Sequence, residues 1–252
     1  MREAAGRGPC EETGRVINVM NAVMLPVVML PGLDGTGLLS AHFVEAMQAR
    51  GMQMQVLPMP AQGPQDYSTL ASILRPQLPA SPFVLLAESF AGPLAIELAV
   101  AGLPRLHGLV LSTTFARRPV PLPAASARML APAWPLPPLA LMARLLLGQW
   151  RTRANLRELS LAITQVPAAT LRQRAAATLR VDVRALLPGI EVPTLCLHAR
   201  QDRLLWPPSV AELQALLPDA RHVSLQGPHL LLQARADAAA AEVAAWMRTL
   251  SP

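Results

Sequence analysis

Short apolar runs in this chain alternate with stretches whose apolar residues recur at three- and four-residue spacing. A nearly continuous apolar run of strand length has to be buried on both faces. A parallel sheet with helices crossing over both sides buries it that way. Strands are expected at Val23–Leu30, Met54–Pro58, Phe83–Ala87, Leu106–Ser112, Thr194–His198 and Arg221–Leu225. Helices are expected at Leu38–Arg50, Leu70–Leu78, Phe90–Ala101, Pro208–Leu217 and Leu231–Leu250. The rhythm predicts an α/β fold with a mostly parallel, doubly wound sheet. It breaks between Ala116 and Leu187, where the proline-rich RRPVPLP and APAWPLPPLA lead into arginine-studded helices without a clear strand. Such an insertion after a core strand reads as a helical cap over residues 116–187, with the core formed by 22–115 and 188–252. Residues 1–21 carry acids and lack the apolar segment of a secretion signal. They read as a disordered leader, or as an over-extended start ahead of Met20 or Met24.

Hydrophobic residues make up 52% of the 252 and charged residues only 15%, which excludes disorder by low hydrophobicity and high charge. A mean hydropathy of +0.33 raises the question of a membrane. The longest apolar stretches are Ala22–Gly32, broken by prolines, and Pro138–Gly148, which carries Arg144. Both fall short of the roughly 20 residues that span a bilayer, so no transmembrane helix is expected. Cys10 sits in the leader and Cys196 in an apolar run, with no metal spacing between them. No disulfide is expected, and the cytoplasm is the default location. The net charge of +6 comes from arginine alone, since the chain has no lysine. Between Ala116 and Leu187, 11 arginines stand against Glu158 and Asp182, an excess of +9, while the remainder nets −3. Nucleic acid is a poor explanation: no helix-turn-helix, zinc-finger or aromatic-basic RNA motif is present, and aromatics are 4%.

The strongest chemical signal is FVLLAESFAGPLAIELA. A strand ends at Ala87, Ser89 follows, and a helix starts at once, with Ala87, Ala91 and Gly92 all small. This is the pattern of a nucleophile elbow, where bulky neighbours would make strand and helix collide. Taken alone it is also a serine capping a helix. VVMLPGLDGTG places a glycine-rich turn after the first strand, and here Asp34 reads as a turn residue. A phosphate loop is the other reading, but neither G-x-G-x-x-G nor G-x-x-x-x-G-K-[ST] is present. TLCLHARQDRLLWP puts Asp202 just beyond a late strand, where it is either an orienting carboxylate or an exposed loop residue. HVSLQGPHLLLQ puts His229 between the last strand and the final helix, free to act as a base. His42, His107, His198 and His222 lie within or at the ends of helices and strands without metal-ligand company, so no metal is expected.

Ser89, Asp202 and His229 occur in the Ser…Asp…His order, each at a strand end. The chain therefore resembles the α/β-hydrolase superfamily over residues 22–250, with the insertion matching its cap. Its LPGLDGTG loop is similar to that of carboxylesterases and of the esterase acting on pimeloyl-acyl-carrier-protein methyl ester. The resemblance implies a serine carboxylic ester hydrolase without a cofactor, acting through an acyl-enzyme on small to medium acyl esters. Ser89 would be the nucleophile, His229 the base and Asp202 its orienting acid. The amides of Leu33 and Phe90 would form the oxyanion hole. Trp134, Leu141 and Leu145 under the cap would contact substrate. Three alternatives stay open: a carrier-linked methyl ester or thioester hydrolase, an acyltransferase, and a non-catalytic binding protein of the same fold. The basic cap reads either as a solvated helical face or as a surface for an acidic substrate or an acidic carrier protein as partner.

Overall fold

The computed structural model describes residues 25–130 and 135–250. Among them are strands β1 (Val27–Leu30), β2 (Met54–Val56), β3 (Phe83–Glu88), β4 (Leu106–Ser112), β5 (Thr194–Ala199) and β6 (Arg221–Leu225). The helices are α1 (Ala41–Gln48), α2 (Tyr67–Leu74), α3 (Ala91–Val100), α4 (Leu139–Leu146), α5 (Arg153–Thr164), α6 (Ala168–Arg180), α7 (Pro207–Leu216), α8 (Leu231–Ala234) and α9 (Ala236–Met247). The strands form one sheet in the order β2-β1-β3-β4-β5-β6, with every pairing parallel.

The period-two alternation of strands divides the apolar residues between two faces. Val27, Met29, Val84 and Leu86 pack with Phe43 and Met47 of α1 and with Val243 and Trp246 of α9. Val28, Leu30, Leu85 and Ala87 face the other way, against Leu70 of α2, Leu94 of α3 and Leu213 of α7. The chain leaves β1 outward to β2 and returns on the opposite side to β3. That reversal opens a crevice at the carboxyl ends of β1 and β3, where ligands bind in such sheets. Leu30 pairs with Ala87, so the loops carrying Leu33 and Ser89 leave the sheet side by side.

Helices α4, α5 and α6 all lie in the segment between β4 and β5. This segment is tied to the sheet ends by the Leu230 N–H to Leu146 O bond (3.0 Å) and the Trp206 N–H to Pro119 O bond (2.8 Å). A lone antiparallel bridge joins Arg117 to Asp182 at its base.

Several boundaries differ from expectation for local reasons. β1 begins at Val27 because Pro26 has no N–H to donate, although its carbonyl accepts from Val84 (2.9 Å). The expected Val23 and the leader lie outside the described residues, as does Trp134. The second helix starts at Tyr67, ahead of the expected Leu70, because Asp66 caps it by accepting from Thr69 N–H at 2.9 Å. The expected helix Leu231–Leu250 is broken at Arg235, whose φ of −135° and ψ of 40° are not helical. Its guanidinium lies 4.9 Å above the centre of the Trp150 ring.

Helix α9 packs closely on β4 at Gly108, where a Cβ would lie 2.8 Å from the Trp246 ring. Gly108→Ala should lower the unfolding free energy by about 1–3 kcal/mol in urea titration. The loss should shrink in a Trp246→Leu background, because the two changes act on the same contact.

Candidate active site

Ser89 follows β3 directly and has a φ of 49°, in the left-handed region. A serine held there costs of order 1–3 kcal/mol. The surroundings impose it: Ser89 N–H donates to Ser112 O (2.9 Å), and its carbonyl accepts from Gly92 N–H (3.0 Å) and the Thr114 hydroxyl (2.5 Å). Ala87 and Ala91 are wholly buried. A Cβ at Gly92 would overlap the Thr114 side chain, so only glycine lets α3 pass this close to β4. Ser89 consequently stands at the amino end of α3, where the helix dipole favours negative charge.

His229 brings Nε2 to 2.8 Å from Ser89 Oγ and Nδ1 to 2.8 Å from Asp202 Oδ2. With Nδ1–H donated to Asp202, Nε2 is left to accept the serine proton. The other oxygen of Asp202 accepts from the N–H groups of Leu204 (2.8 Å) and Leu205 (2.9 Å). The loops carrying Asp202 and His229 are joined by Gln201, whose N–H donates to Gly227 O (3.0 Å) and whose Oε1 accepts from Gly227 N–H (2.6 Å). Burial alone would depress the His229 pKa, but the charge and hydrogen bond of Asp202, with the charge of Glu88, leave it above the ordinary value. Burial would raise the Asp202 pKa, but His229 and the two loop amides hold it below the ordinary value.

Ser89 and His229 open on a cavity of about 330 Å³ that Leu33 and Phe90 also line. Its other walls are mainly apolar and include Leu141, Leu145, Leu159, Ile163 and Leu171 from the helical insertion. The structure thus gathers every described candidate residue at one cavity: Ser89, His229, Leu33, Phe90, Leu141 and Leu145 line it, and Asp202 stands behind His229. Asp34 is a turn residue as expected, accepting from Thr36 N–H at 3.0 Å. A larger cleft of about 650 Å³, bordered by Asp66, Glu97, Arg128 and Arg180, contains none of these residues.

A family model described as serine aminopeptidase, S33, matches residues 60–233, more than half of the chain. The chain belongs to that family. It is a hydrolase of the α/β-hydrolase fold, and solved structures agree on the fold. An esterase from Exiguobacterium antarcticum superposes with a TM-score of 0.77 at 18% identity, covering 89% of this chain and 92% of that one. The enol-lactonase from Burkholderia xenovorans LB400 gives 0.72 at 21% identity, over 89% and 92%. A thermophilic esterase from Thermogutta terrifontis gives 0.73 at 21%, over 89% of each chain. No curated protein sequence matches the chain.

The hydrolase also holds residues that sequence reading passed over. Glu88, the last residue of β3, lines the cavity at 2% exposure. Its Oε2 accepts from Gln233 Nε2 at 3.1 Å, and its Oε1 has no protein partner. Burial, reinforced by the charge of Asp34, pushes its pKa up to about 7. A charged residue inside a hydrophobic strand run was the available signal. His198 turns away from Asp202 and pairs with His222 (3.0 Å), and burial lowers its pKa to about 4, so it stays neutral. Cys196 is a buried free thiol. Among the described residues no cluster of His, Cys, Asp and Glu is grouped to hold a metal, and no helix is long and apolar enough to cross a membrane.

Glu88 makes a signed prediction. Its carboxyl titrates at about 7 in the fold against an ordinary 4.5, so between those values the native state keeps a proton that the unfolded chain has lost. Stability must therefore fall as pH rises from about 5 to 8, by on the order of 3 kcal/mol. Glu88→Gln should remove that loss, its advantage over wild type in urea titration growing with pH across this range.

Proposed function

We propose that this hydrolase cleaves carboxylic esters through an acyl-enzyme on Ser89. One observation carries the reading: a hydrogen-bonded serine–histidine–aspartate chain opens onto an apolar cavity the size of a small to medium acyl group. Ser89 Oγ attacks the ester carbonyl while His229 Nε2 takes its proton. Asp202 holds the tautomer and stabilises the imidazolium. The amides of Leu33 and Phe90 receive the oxyanion, each donor being worth about 3 kcal/mol. The tetrahedral intermediate collapses, the alcohol leaves with the proton from His229, and the acyl group stays on Ser89. Water, deprotonated by His229, then attacks the acyl carbonyl, and collapse frees the acid and restores Ser89. No cofactor enters these steps. An alcohol in place of water would give acyl transfer, which product analysis with an added alcohol distinguishes. The helical insertion is the cap, and Leu141 and Leu145 are its acyl-contacting residues.

A second reading concerns the partner. Among the described residues, the ionisable ones lining the cavity are Asp34, Glu88 and His229, with no arginine. A carboxylate has no cation to meet inside, so the basic cap would act on charge that stays outside. A methyl ester or thioester borne on an acidic carrier protein fits that division. Not all the arginines contribute: Arg174 is buried, while Arg117 and Arg184 are paired with Glu212.

Ser89→Ala should cut kcat/KM for p-nitrophenyl butyrate by about 10⁴-fold or more and abolish labelling by a fluorophosphonate, with thermal unfolding little changed. Substantial retained activity would sink the assignment, and faster turnover of amino-acid p-nitroanilides than of esters would redirect it to amide cleavage. The raised pKa of His229 places the acidic limb of kcat/KM above the ordinary histidine value of about 6.5, since the base works only when neutral. Asp202→Asn should lower kcat about 10⁴-fold. For the carrier reading, raising salt from about 20 to 300 mM shortens the screening length from roughly 20 to 6 Å. That change, like Arg151→Glu with Arg153→Glu, should depress kcat/KM for a carrier-borne ester far more than for a neutral one. Equal responses would leave the cap charge as a solvated surface.

A further inference from the structure

Arg174 is wholly buried and is the largest fully buried side chain among the described residues. It belongs to α6 in the helical insertion, yet its guanidinium spends its hydrogen bonds on the core. Nη1 donates to the carbonyls of Leu33 (2.9 Å) and Asp34 (2.7 Å), Nη2 to Pro60 O (2.8 Å), and Nε to Gln65 Oε1 (2.8 Å). All four acceptors are neutral oxygens. A buried cation without a hydrogen-bonded carboxylate is costly, and an apolar side chain of similar volume would serve packing alone at least as well. What the guanidinium supplies is geometry. It fixes two consecutive carbonyls of the loop after β1, beginning at Leu33. The loop is shaped around it: Gly35 has a φ of 68°, and a Cβ there would overlap the guanidinium. Gln65 is in turn held by its Nε2, which donates to the carbonyls of Pro60 (3.2 Å), Gln62 (3.3 Å) and Gly63 (3.1 Å).

On either side of Arg174 along α6, Leu171, Ala175 and Thr178 line the cavity at Ser89. One helix therefore supplies both a wall of the acyl cavity and the brace of the loop beside it. We propose that Arg174 is a positioning residue: from the insertion, it sets the Leu33 amide where the oxyanion forms. The proposal rests on the ester-hydrolase reading. It requires α6 to stay seated during turnover, because moving this helix away would release the loop.

The test compares a planar ligand with a tetrahedral one. An alkyl trifluoromethyl ketone adds Ser89 Oγ to its carbonyl carbon; the serine proton passes to His229 and the carbonyl oxygen becomes an oxyanion. The matching N-alkyl amide stays planar and unreacted. In Arg174→Lys, affinity for the ketone and kcat for p-nitrophenyl butyrate should fall together, by about 10- to 100-fold, the scale expected of an ångström-sized misplacement. Affinity for the amide and the KM should change by less than about two-fold, because a planar ground state asks little of the oxyanion donors. Equal weakening of ketone and amide, or unchanged ketone affinity in the folded variant, would overturn the proposal. Should Arg174→Lys not fold, Gln65→Leu decides: it removes one of the four acceptors and should show the same selective loss at smaller size, and no selective loss overturns the proposal. Wild-type protein inert to both the ester and a fluorophosphonate would instead overturn the ester-hydrolase reading, and the Arg174 proposal with it.

Discussion

The turn at Ser89 is the constraint on which the rest of the site depends. A serine with a φ of 49° is held in place because both flanking elements are already fixed. β3 is buried along its whole length, and most of α3 is buried too. Between them the chain has no spare residue with which to relax. Gly92 against Thr114 sets how closely α3 approaches β4, and the Thr114 hydroxyl then bonds the carbonyl of Ser89 itself. The strain is local, whereas the burial that offsets it is spread over the central strands. A serine so placed lines the cavity directly from the strand–helix turn.

Charge around the site is sorted by depth. Close to Ser89 lie three carboxyls, those of Asp202, Glu88 and Asp34, and a single histidine. Each carboxyl meets a different fate. Asp202 is kept ionised by two loop amides and the imidazole it orients. Asp34 is engaged with the backbone and hydroxyl of Thr36. Glu88, bonded through one oxygen only, has its pKa pushed up to about 7 by burial. When protonated, Glu88 spares the cavity a second full negative charge near the serine.

How much of this the sequence disclosed follows from how local each cause is. The strands and the serine turn were readable because apolar runs, small residues and strand ends are adjacent in the chain. Asp202 and His229 could be placed because each follows a strand whose position in the sheet the alternation already implied. Pro26 and Asp66 were legible in principle, since a missing N–H and a helix cap act within a few residues. Arg174 was not, because its role is set by carbonyls of Leu33, Asp34 and Pro60, more than 100 residues away, and carbonyls leave no mark on the side-chain sequence. In a segment with 11 arginines, the buried one looks like its neighbours. Glu88 stood out only as a charge in an apolar strand, and its partner Gln233 sits in a helix that periodicity alone placed.

The insertion thus faces two environments with different chemistry. Outward it carries arginines, several with their heads in solvent. Inward it presents leucines and an isoleucine to a cavity whose described lining holds no arginine. Arg174 departs from this division, and its acceptors are all uncharged oxygens of the core. A guanidinium suits that task better than an ammonium, because its planar fork can reach several carbonyls in fixed directions at once. Burial lowers the pKa of Arg174 to about 10, still well above neutrality, so the fork keeps all its donors under working conditions. The segment that walls the cavity at Ser89 is therefore also the one whose Arg174 bonds the loop carbonyls of Leu33 and Asp34. A change in the packing of α6 therefore alters both the cavity wall and the loop beside it.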